Sequence, residues 1–348
     1  MLTVRQLARY AFANARMRAL LSQLLSQDIW KQLYQAGNIQ EMLEILKPTA
    51  YGPLLMSLSE EKEDLLVLER KLKISEIEVH RKLVASISGK RENKLLLLLL
   101  QRYEVEELKK ALRLWHGKPS VKTDRYLLGE KIILPIDFNQ IVAAGSLEEI
   151  IQLLAKTDYE ESLKRARVRF QQTDSLFFLE ICLDVDYYQR LVTAAEKLSS
   201  SDQAIARMLI GLEIDRENIN WLVRHRLYYR SAREEFLEWI IPGGEHFHPE
   251  KANLSLGIED SQKTLPEVTK GPYQSLSRLS GENFFLIDRF LHEFLLHQAK
   301  KVLGGFPFTI GPLLGYLILK RQETRLLLSC FYGRMLSLKQ EATGEMFY

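Results

Sequence analysis

The chain has 348 residues, with 48 Lys or Arg against 45 Asp or Glu, so its formal net charge is only +3. Such a small charge gives no strong field for nucleic acid, and an apolar content of 46% excludes a disordered chain. Two cysteines, Cys182 and Cys330, are too few for a disulfide framework. We therefore expect a reducing compartment, with both thiols packed as small apolar groups.

The residue composition favours helix almost throughout. Leucine accounts for 62 residues and valine for only 13, while there are 18 glycines and 10 prolines. Leucine enters a helix at little rotamer cost, whereas valine is stiff at χ1 and favours strands. We find no convincing series of alternating strands, and the best candidate, residues 132–135 (IILP), is ended by its own proline.

Apolar periodicity predicts the first helices in chain order. Residues 10–25 and 61–83 place leucines at helical spacing among charged residues. Arginines interrupt the N-terminal region, so we expect no signal peptide. Six successive leucines, residues 95–100, are too short to span a membrane and predict a helix that is buried on all sides.

Two segments resemble each other closely and indicate an internal repeat. Residues 36–55 read AGNIQEMLEILKPTAYGPLL, and residues 144–163, offset by 108, read AGSLEEIIQLLAKTDYEESL. In both copies a glycine ends one helix, and Asn38 or Ser146 caps the next.

Each copy then reaches a Thr-x-Tyr corner, at Tyr51 and at Tyr159. Residues 270–276 (KGPYQSL) predict a third corner at Tyr273, which lies 114 residues beyond Tyr159. The spacing of the three tyrosines is therefore nearly regular.

A second element recurs at a similar interval. Residues 106–113 match residues 217–224 at an offset of 111, and residues 323–328 occupy the equivalent place in the last third. Two elements in the same order predict three helical units, the third of them divergent, with residues 243–271 as a long polar loop. The predicted units are 1–118, 119–231 and 232–348.

Residues 302–319 carry no charge over 18 positions, which makes them a marginal candidate for a membrane span. Four glycines and two prolines argue against that interpretation. We expect a tight turn at residues 304–307 and a helix entered at Pro312, near the favoured first-turn position for proline.

The sequence offers little catalytic chemistry. It lacks the phosphate-binding, dinucleotide-binding, zinc-protease and nucleophile-elbow motifs. Glu245, His246 and His248 could together ligate a metal ion, which leaves a metal-dependent enzyme as one alternative. We expect no catalytic residue and no cofactor.

Three segments carry a resemblance to a known family. They are residues 10–21 (YAFANARMRALL), the repeated Thr-x-Tyr corner, and residues 306–325 (FPFTIGPLLGYLILKRQETR). In their order and spacing they resemble the C/d-type subunit of rotary vacuolar-type and archaeal-type ATPases. The resemblance extends over essentially the whole chain.

The resemblance implies an all-α protein of three similar helical units arranged as a funnel. It further implies a non-catalytic rotor adaptor that links the central stalk to the membrane proteolipid ring and transmits torque for proton or sodium transport. The expected partners are the central-stalk subunits and the proteolipid ring, with no nucleic acid. The expected location is cytoplasmic and peripheral, with indirect membrane contact through the ring.

Four charged residues in these segments are candidate partner contacts: Arg16, Arg18, Glu323 and Arg325. For Arg16 and Arg18, a solvated or locally paired helix face is the other interpretation. The remaining alternative for the whole chain is a free-standing α-helical repeat scaffold that binds other proteins.

Overall fold

The computed structural model describes residues 4–55, 65–118, 126–129, 131–224, 233–256, 271–278 and 284–335. These residues form helices joined by short turns and contain no strand, which confirms the all-α prediction. The first third contains α1 (Val4–Leu21), α2 (Gln27–Gln35), α3 (Ile39–Leu46), α4 (Gly52–Leu55), α5 (Leu65–Val84) and α6 (Lys90–Gly117). The middle third contains α7 (Phe138–Ala143), α8 (Leu147–Leu153), α9 (Asp158–Thr173), α10 (Phe177–Ala195) and α11 (Ser200–Arg224). The last third contains α12 (Arg233–Trp239), α13 (Pro249–Leu256), a short 3₁₀ helix (Gln274–Arg278), α14 (Phe284–Leu303) and α15 (Gly311–Met335).

Three pairs of long helices make up most of the body, namely α5 with α6, α10 with α11, and α14 with α15. Within each pair the two helices pack against each other. The first helix of each pair also packs on a second helix from another pair: α10 on α6, α14 on α11, and α5 on α15. The last of these contacts brings the first third of the chain against its final helix.

Local sequence signals fix the helix starts in the two similar segments. The Asn38 side chain accepts a hydrogen bond from the Glu41 N–H (2.8 Å), and Ser146 accepts one from Glu149 (3.2 Å). Each glutamate in turn accepts from the N–H of the glycine preceding the cap, at 2.7 Å in both places. The arrangement is a variant of the capping box, in which the glutamate accepts from the residue before the cap, and it confirms the two predicted caps.

Several predicted boundaries differ from the structure. The first helix is Val4–Leu21 rather than residues 10–25, and the next long helix is described from Leu65, because residues 56–64 lie outside the described part of the chain. Leu97 is 37% exposed, so the prediction of burial on all sides for the leucine run was wrong. Only one face of α6 is buried. Because consecutive residues of a helix point in different directions, successive leucines lie on different faces of α6.

Two further segments test the loop predictions. The turn near Gly304 and the entry of α15 at Gly311–Pro312 follow the prediction. Residues 243–271 are not simply a long loop, because α13 lies within them, while residues 257–270 lie outside the described part. Among the described residues, no helix combines the length and the apolarity needed to span a membrane.

Among the described residues, the hydrophobic core consists of one large cluster and two smaller ones. The large cluster extends from Tyr10 on α1 to Ile318 on α15. A second cluster packs α2–α4 and the start of α5 against Leu327, Cys330 and Phe331 of α15. Burial of apolar surface therefore holds the first corner region against the last helix, and each fully buried leucine or phenylalanine contributes about 1.5–3 kcal/mol.

Candidate partner-binding site

The first two corners share one hydrogen-bond pattern. The hydroxyls of Thr49 and Thr157 each donate to the carbonyl three residues earlier, at 2.6 Å in both corners. Each hydroxyl also accepts a hydrogen bond from the backbone N–H of the tyrosine two residues later, at 3.2 Å for Tyr51 and 3.3 Å for Tyr159. The threonine thus closes the turn and starts the next helix, which directs the tyrosine inward.

Each of the three corner tyrosines donates its hydroxyl to a buried carboxylate on a long helix far away in sequence. We name these bonds the corner joints: Tyr51–Glu323 (2.6 Å), Tyr159–Glu104 (2.8 Å) and Tyr273–Asp215 (2.7 Å). Burial and then the neighbouring carboxylate raise the pKa of each tyrosine above its usual range. The hydroxyls therefore remain donors at physiological pH, in charge-assisted bonds.

The same carboxylates also accept backbone N–H groups from a linking segment. Glu104 accepts from Ile133 (3.0 Å) and Leu134 (2.8 Å), Asp215 from His246 (2.8 Å) and Phe247 (2.9 Å), and Glu323 from Leu25 (2.6 Å). The candidate strand at residues 132–135 is thus a bend held by Glu104. Each carboxylate therefore accepts hydrogen bonds from both a corner tyrosine and a linking segment. These bonds offset the free-energy cost of burying its charge.

The joint at Tyr51 contains an additional cation. The Lys320 ammonium donates to the Tyr51 hydroxyl (2.7 Å) and to Glu323 (3.0 Å), and all three side chains are buried. This joint connects the first and last thirds of the chain, which no short linker connects. Lys320 thus forms an ion pair with Glu323 inside the joint, and the hydrogen bonds to Tyr51 and Glu323 offset the cost of burying its charge.

A charged layer lies between the long helices α6, α11 and α15. The Glu213 carboxylate pairs with Arg102 through one oxygen (2.8 Å) and with Arg321 through the other. Burial alone would raise the pKa of Glu213, but Arg321 and Arg102 outweigh it and lower the pKa to about 2. We name these three residues the arginine–glutamate layer.

A polar cavity of about 380 Å³ lies on one side of this layer. Arg102 and Arg321 line it, and they also line a small apolar void of about 40 Å³ on the other side, with Ile210 and Ile318. Other charged side chains of the polar cavity are Glu69, Lys73, Glu76, Glu106, Arg216 and Arg325. The layer thus separates apolar packing from a wide polar space.

A neighbouring groove of about 680 Å³ shares His292, Gln322 and Arg325 with the polar cavity. Burial lowers the pKa of His292 to about 4, although its hydrogen bond to Gln322 opposes this, so the ring is neutral at pH 7. Most of the side chains that line the cavity and the groove are polar or charged, and the two spaces together are large enough for part of a protein partner.

Comparison with known proteins identifies the family. Residues 13–346 match the profile of the ATP synthase (C/AC39) subunit family. The chain belongs to this family. Three similar proteins are the A-type ATP synthase C subunits of Methanocaldococcus jannaschii, Pyrococcus abyssi and Methanosarcina mazei. They are 23%, 27% and 26% identical over 96%, 91% and 96% of this chain and 85%, 84% and 91% of their own lengths. The family membership identifies a component of a rotary ATPase.

In this member of the C/AC39 family, the four predicted contact residues have different environments. Arg18 is exposed, while Arg16 is partly buried and donates to the Lys82 carbonyl (3.1 Å) and Ser86 (3.0 Å). Arg325 is exposed, lines both the cavity and the groove, and lies 3.7 Å from Asp288. Neither Arg16 nor Arg18 lines these spaces.

Glu323 lies in the interior. It is 5% exposed, and its carboxylate accepts hydrogen bonds from Tyr51, Lys320 and Leu25. These internal bonds leave the side chain little capacity for an external partner. We therefore assign Glu323 to the corner joint. It is also one of the residues that line the groove, so its role as a partner contact stays a prediction.

The predicted metal ligands have other contacts in the structure. The His246 ring packs edge-on against Tyr273, with 5.4 Å between ring centroids, and its backbone N–H donates to Asp215. In the described part of the chain, which includes residues 245–248, no three His, Cys, Asp or Glu side chains form a group that could hold a metal ion. Burial raises the pKa of the Cys182 thiol, which makes the thiolate rarer.

Sequence reasoning missed Glu104 and Asp215. The signal was present, because these acids are 111 residues apart, the same offset that aligned residues 106–113 with 217–224. Extending that alignment by two residues would have paired them. It could not have shown which tyrosine meets which acid.

Proposed function

We propose that this chain is a non-catalytic rotor adaptor of a rotary ATPase. It links the central stalk to the proteolipid ring and passes torque between them, while ATP chemistry takes place on other subunits. The proposal places the chain on the cytoplasmic side, held at the membrane by its partners. Family membership over residues 13–346 supports the complex, and the closed set of corner joints supports the adaptor role.

We further propose that residues 1–118, 119–231 and 232–348 are three pseudo-repeated helical units, the third of them divergent. Each tyrosine bonds a carboxylate in the unit before it, and Tyr51 of the first unit bonds Glu323 of the third. The packing of α10 on α6, α14 on α11 and α5 on α15 follows the same cyclic order. Both patterns favour a closed, funnel-like body. Residues 119–125 and 225–232, at the proposed boundaries, lie outside the described part.

The bond between Tyr51 and Glu323 is the observation that carries the proposal, because it joins the first third of the chain to the last and a torque-bearing part must resist opening. In an open array, each unit contacts only its neighbours and the ends are free to twist. Here the joint between the first and third units shares the load with the other two. Dense packing around the joints adds stiffness.

The polar cavity and the groove are the proposed seat of the central stalk. They are wide and lined by long charged side chains such as Arg325, which suits a polar protein partner. Three similar units could make several similar contacts with a ring of different symmetry, so avidity would offset weak individual contacts.

Co-purification from solubilised membranes tests the adaptor role. We expect the chain to co-purify with both the ring and the stalk. Arg325→Glu should release the stalk, and Arg16→Glu with Arg18→Glu should release one of the two partners, each without loss of helicity. Arg167→Glu is the matched control, because Arg167 is exposed on α9 and away from the cavities. Recovery of the wild-type chain with neither partner would refute the proposal.

The alternative, a free-standing repeat scaffold, predicts an open solenoid. The bond between Tyr51 and Glu323 does not favour it, since this bond joins the first unit to the third. Small-angle X-ray scattering of the purified chain separates the two shapes, because an elongated solenoid has a larger radius of gyration than a compact body of 348 residues.

A further inference from the structure

The turns before α6, α11 and α15 lie together at one end of the molecule. Arg91 donates to the Lys197 carbonyl (2.9 Å), which joins the first turn to the second. The Ile310 N–H donates to Asp202 (2.8 Å), which joins the second turn to the third. We name this surface the basic end, and it comprises residues 82–94, 196–203 and 300–312.

The basic end concentrates positive charge. It contains seven Lys or Arg and three Asp or Glu, a net charge of +4, whereas the whole chain carries only +3. All seven bases are exposed: Lys82, Lys90, Arg91, Lys94, Lys197, Lys300 and Lys301. Within the described part of the chain, none of them pairs with a carboxylate.

Two of the three acids at this end are unavailable to neutralise these bases. Glu92 is 3% exposed and accepts from Arg9 at 2.6 Å. Asp202 is 2% exposed and accepts from Tyr10 and Ser199 as well as from the Ile310 backbone. Only Glu196 is an exposed acid, so the surface is almost uniformly cationic.

An exposed aromatic ring lies among these cations. Phe306 is 53% exposed in the turn between α14 and α15, a few residues after Lys300 and Lys301. Its ring touches Phe308, with centroids 5.7 Å apart, which holds it at the surface. Large apolar rings beside lysines are typical of surfaces that enter the interfacial region of a membrane.

We propose that the basic end binds an anionic phospholipid surface directly. This goes beyond the adaptor function, which requires only indirect membrane contact through the ring. Six of the seven bases are lysines, and lysine is depleted in protein–protein interfaces. The flexible ammonium group of lysine suits mobile phosphate headgroups instead. Each lysine near an anionic membrane surface strengthens binding about five-fold.

Vesicle co-sedimentation of the purified full-length chain tests this proposal. The probes are phosphatidylcholine vesicles with and without about one-third phosphatidylserine. We expect binding only to the anionic vesicles, and binding should weaken as salt screens the charges. Lys197→Gln together with Lys301→Gln should weaken binding roughly 25-fold, from about five-fold for each lysine. Phe306→Ser should weaken it about ten-fold, because the ring loses its apolar burial.

The matched control is Lys31→Gln with Lys47→Gln. These lysines are 63% and 58% exposed and pair with Asp28 and Glu44, and the change in net charge is the same. The control should bind almost as the wild type does. All the substituted side chains are exposed or half-exposed, so circular dichroism should show unchanged helicity.

Three outcomes would overturn the proposal. One is no binding to anionic vesicles, and another is an equal loss in the control pair. The third is vesicle binding that is unchanged in the Lys197 and Lys301 variant while its co-purification with the ring is lost, since the surface would then dock a protein. The vesicles contain neither ring nor stalk, so failure here is distinct from failure of the adaptor role.

Discussion

Three matched substitutions test the corner joints: Tyr51→Phe, Tyr159→Phe and Tyr273→Phe. Each change removes one hydroxyl and leaves the buried ring in place, because the three residues are only 3%, 1% and 1% exposed. If the three units form a closed body, Tyr51→Phe should cost at least as much as the other two changes, because it also removes the hydrogen bond from Lys320. If the body were open, the joint at Tyr51 would matter least.

The structure sets the expected magnitude. A hydrogen bond to a charged acceptor contributes about 1.5–3 kcal/mol. Each carboxylate keeps at least one backbone N–H donor, so it is not left unpaired, and we expect the lower half of that range. With an unfolding entropy of about 0.7 kcal/mol/K for 348 residues, each variant should lower Tm by about 2–3 °C.

Thermal unfolding followed by circular dichroism measures these shifts. Tyr187→Phe is the control, since the Tyr187 hydroxyl is buried and has no hydrogen-bond partner among the described residues. Its removal should leave Tm unchanged or slightly raised. The reasoning fails if Tyr51→Phe behaves like this control while the other two variants lose stability, because closure between the first and third units would then contribute nothing.

Three further predictions concern the interior. Glu213→Gln should cost about 3–5 kcal/mol in urea unfolding, because two arginines lose their shared anion. Folding lowers the pKa of Glu213 from 4.5 to about 2, so this stabilisation should be complete above pH 4.5 and should disappear as the pH falls towards 2. The stability of Glu213→Gln should lack this pH dependence in an acid titration. Gly315→Ala should lower stability by about 1–3 kcal/mol, because its Cβ would lie 2.6 Å from the Ala299 carbonyl oxygen, whereas Gly117→Ala meets nothing within 4 Å and should be neutral. Burial raises the pKa of Cys330 to about 12, so iodoacetamide at pH 8 should label it only after unfolding, as mass spectrometry would show.

Features that depend on a few neighbouring residues could be predicted from the sequence. The caps at Asn38 and Ser146 follow from their own side chains and a glutamate three residues later. The corners at Tyr51 and Tyr159 follow from a threonine two residues earlier. All of these bonds form within one or two helical turns, so local residue types are sufficient to specify them.

Features that depend on distant residues could not be predicted. Glu323 belongs to a charged segment and so resembled a surface contact, yet Tyr51 and Leu25, almost 300 positions away, surround its carboxylate. Periodicity likewise could not show that Leu97 is exposed within six leucines, since every residue there is equally apolar. Burial of these residues is decided by which helices pack together, and that is a property of the whole chain.

If the chain consists of the three proposed units, the centre of the molecule gives a physical reason why their sequences are alike at the corners and differ elsewhere. Arg102, Glu213 and Arg321 each lie two residues before a joint carboxylate, so the joints align the last third two residues away from the sequence-based alignment. The three residues meet in one layer. Three identical charges there would repel one another, by about 4 kcal/mol for a pair at 4 Å and an effective dielectric constant of 20. One glutamate between two arginines replaces two of these repulsions by attractions. A corner joint, in contrast, pairs a tyrosine with a carboxylate from a different position, so the same pairing can recur in every unit. If repeated units meet around a common centre, residues at the same position of each unit touch there, and these residues must differ. Where a contact joins residues from different positions, as in a corner joint, the same residues can recur in every unit.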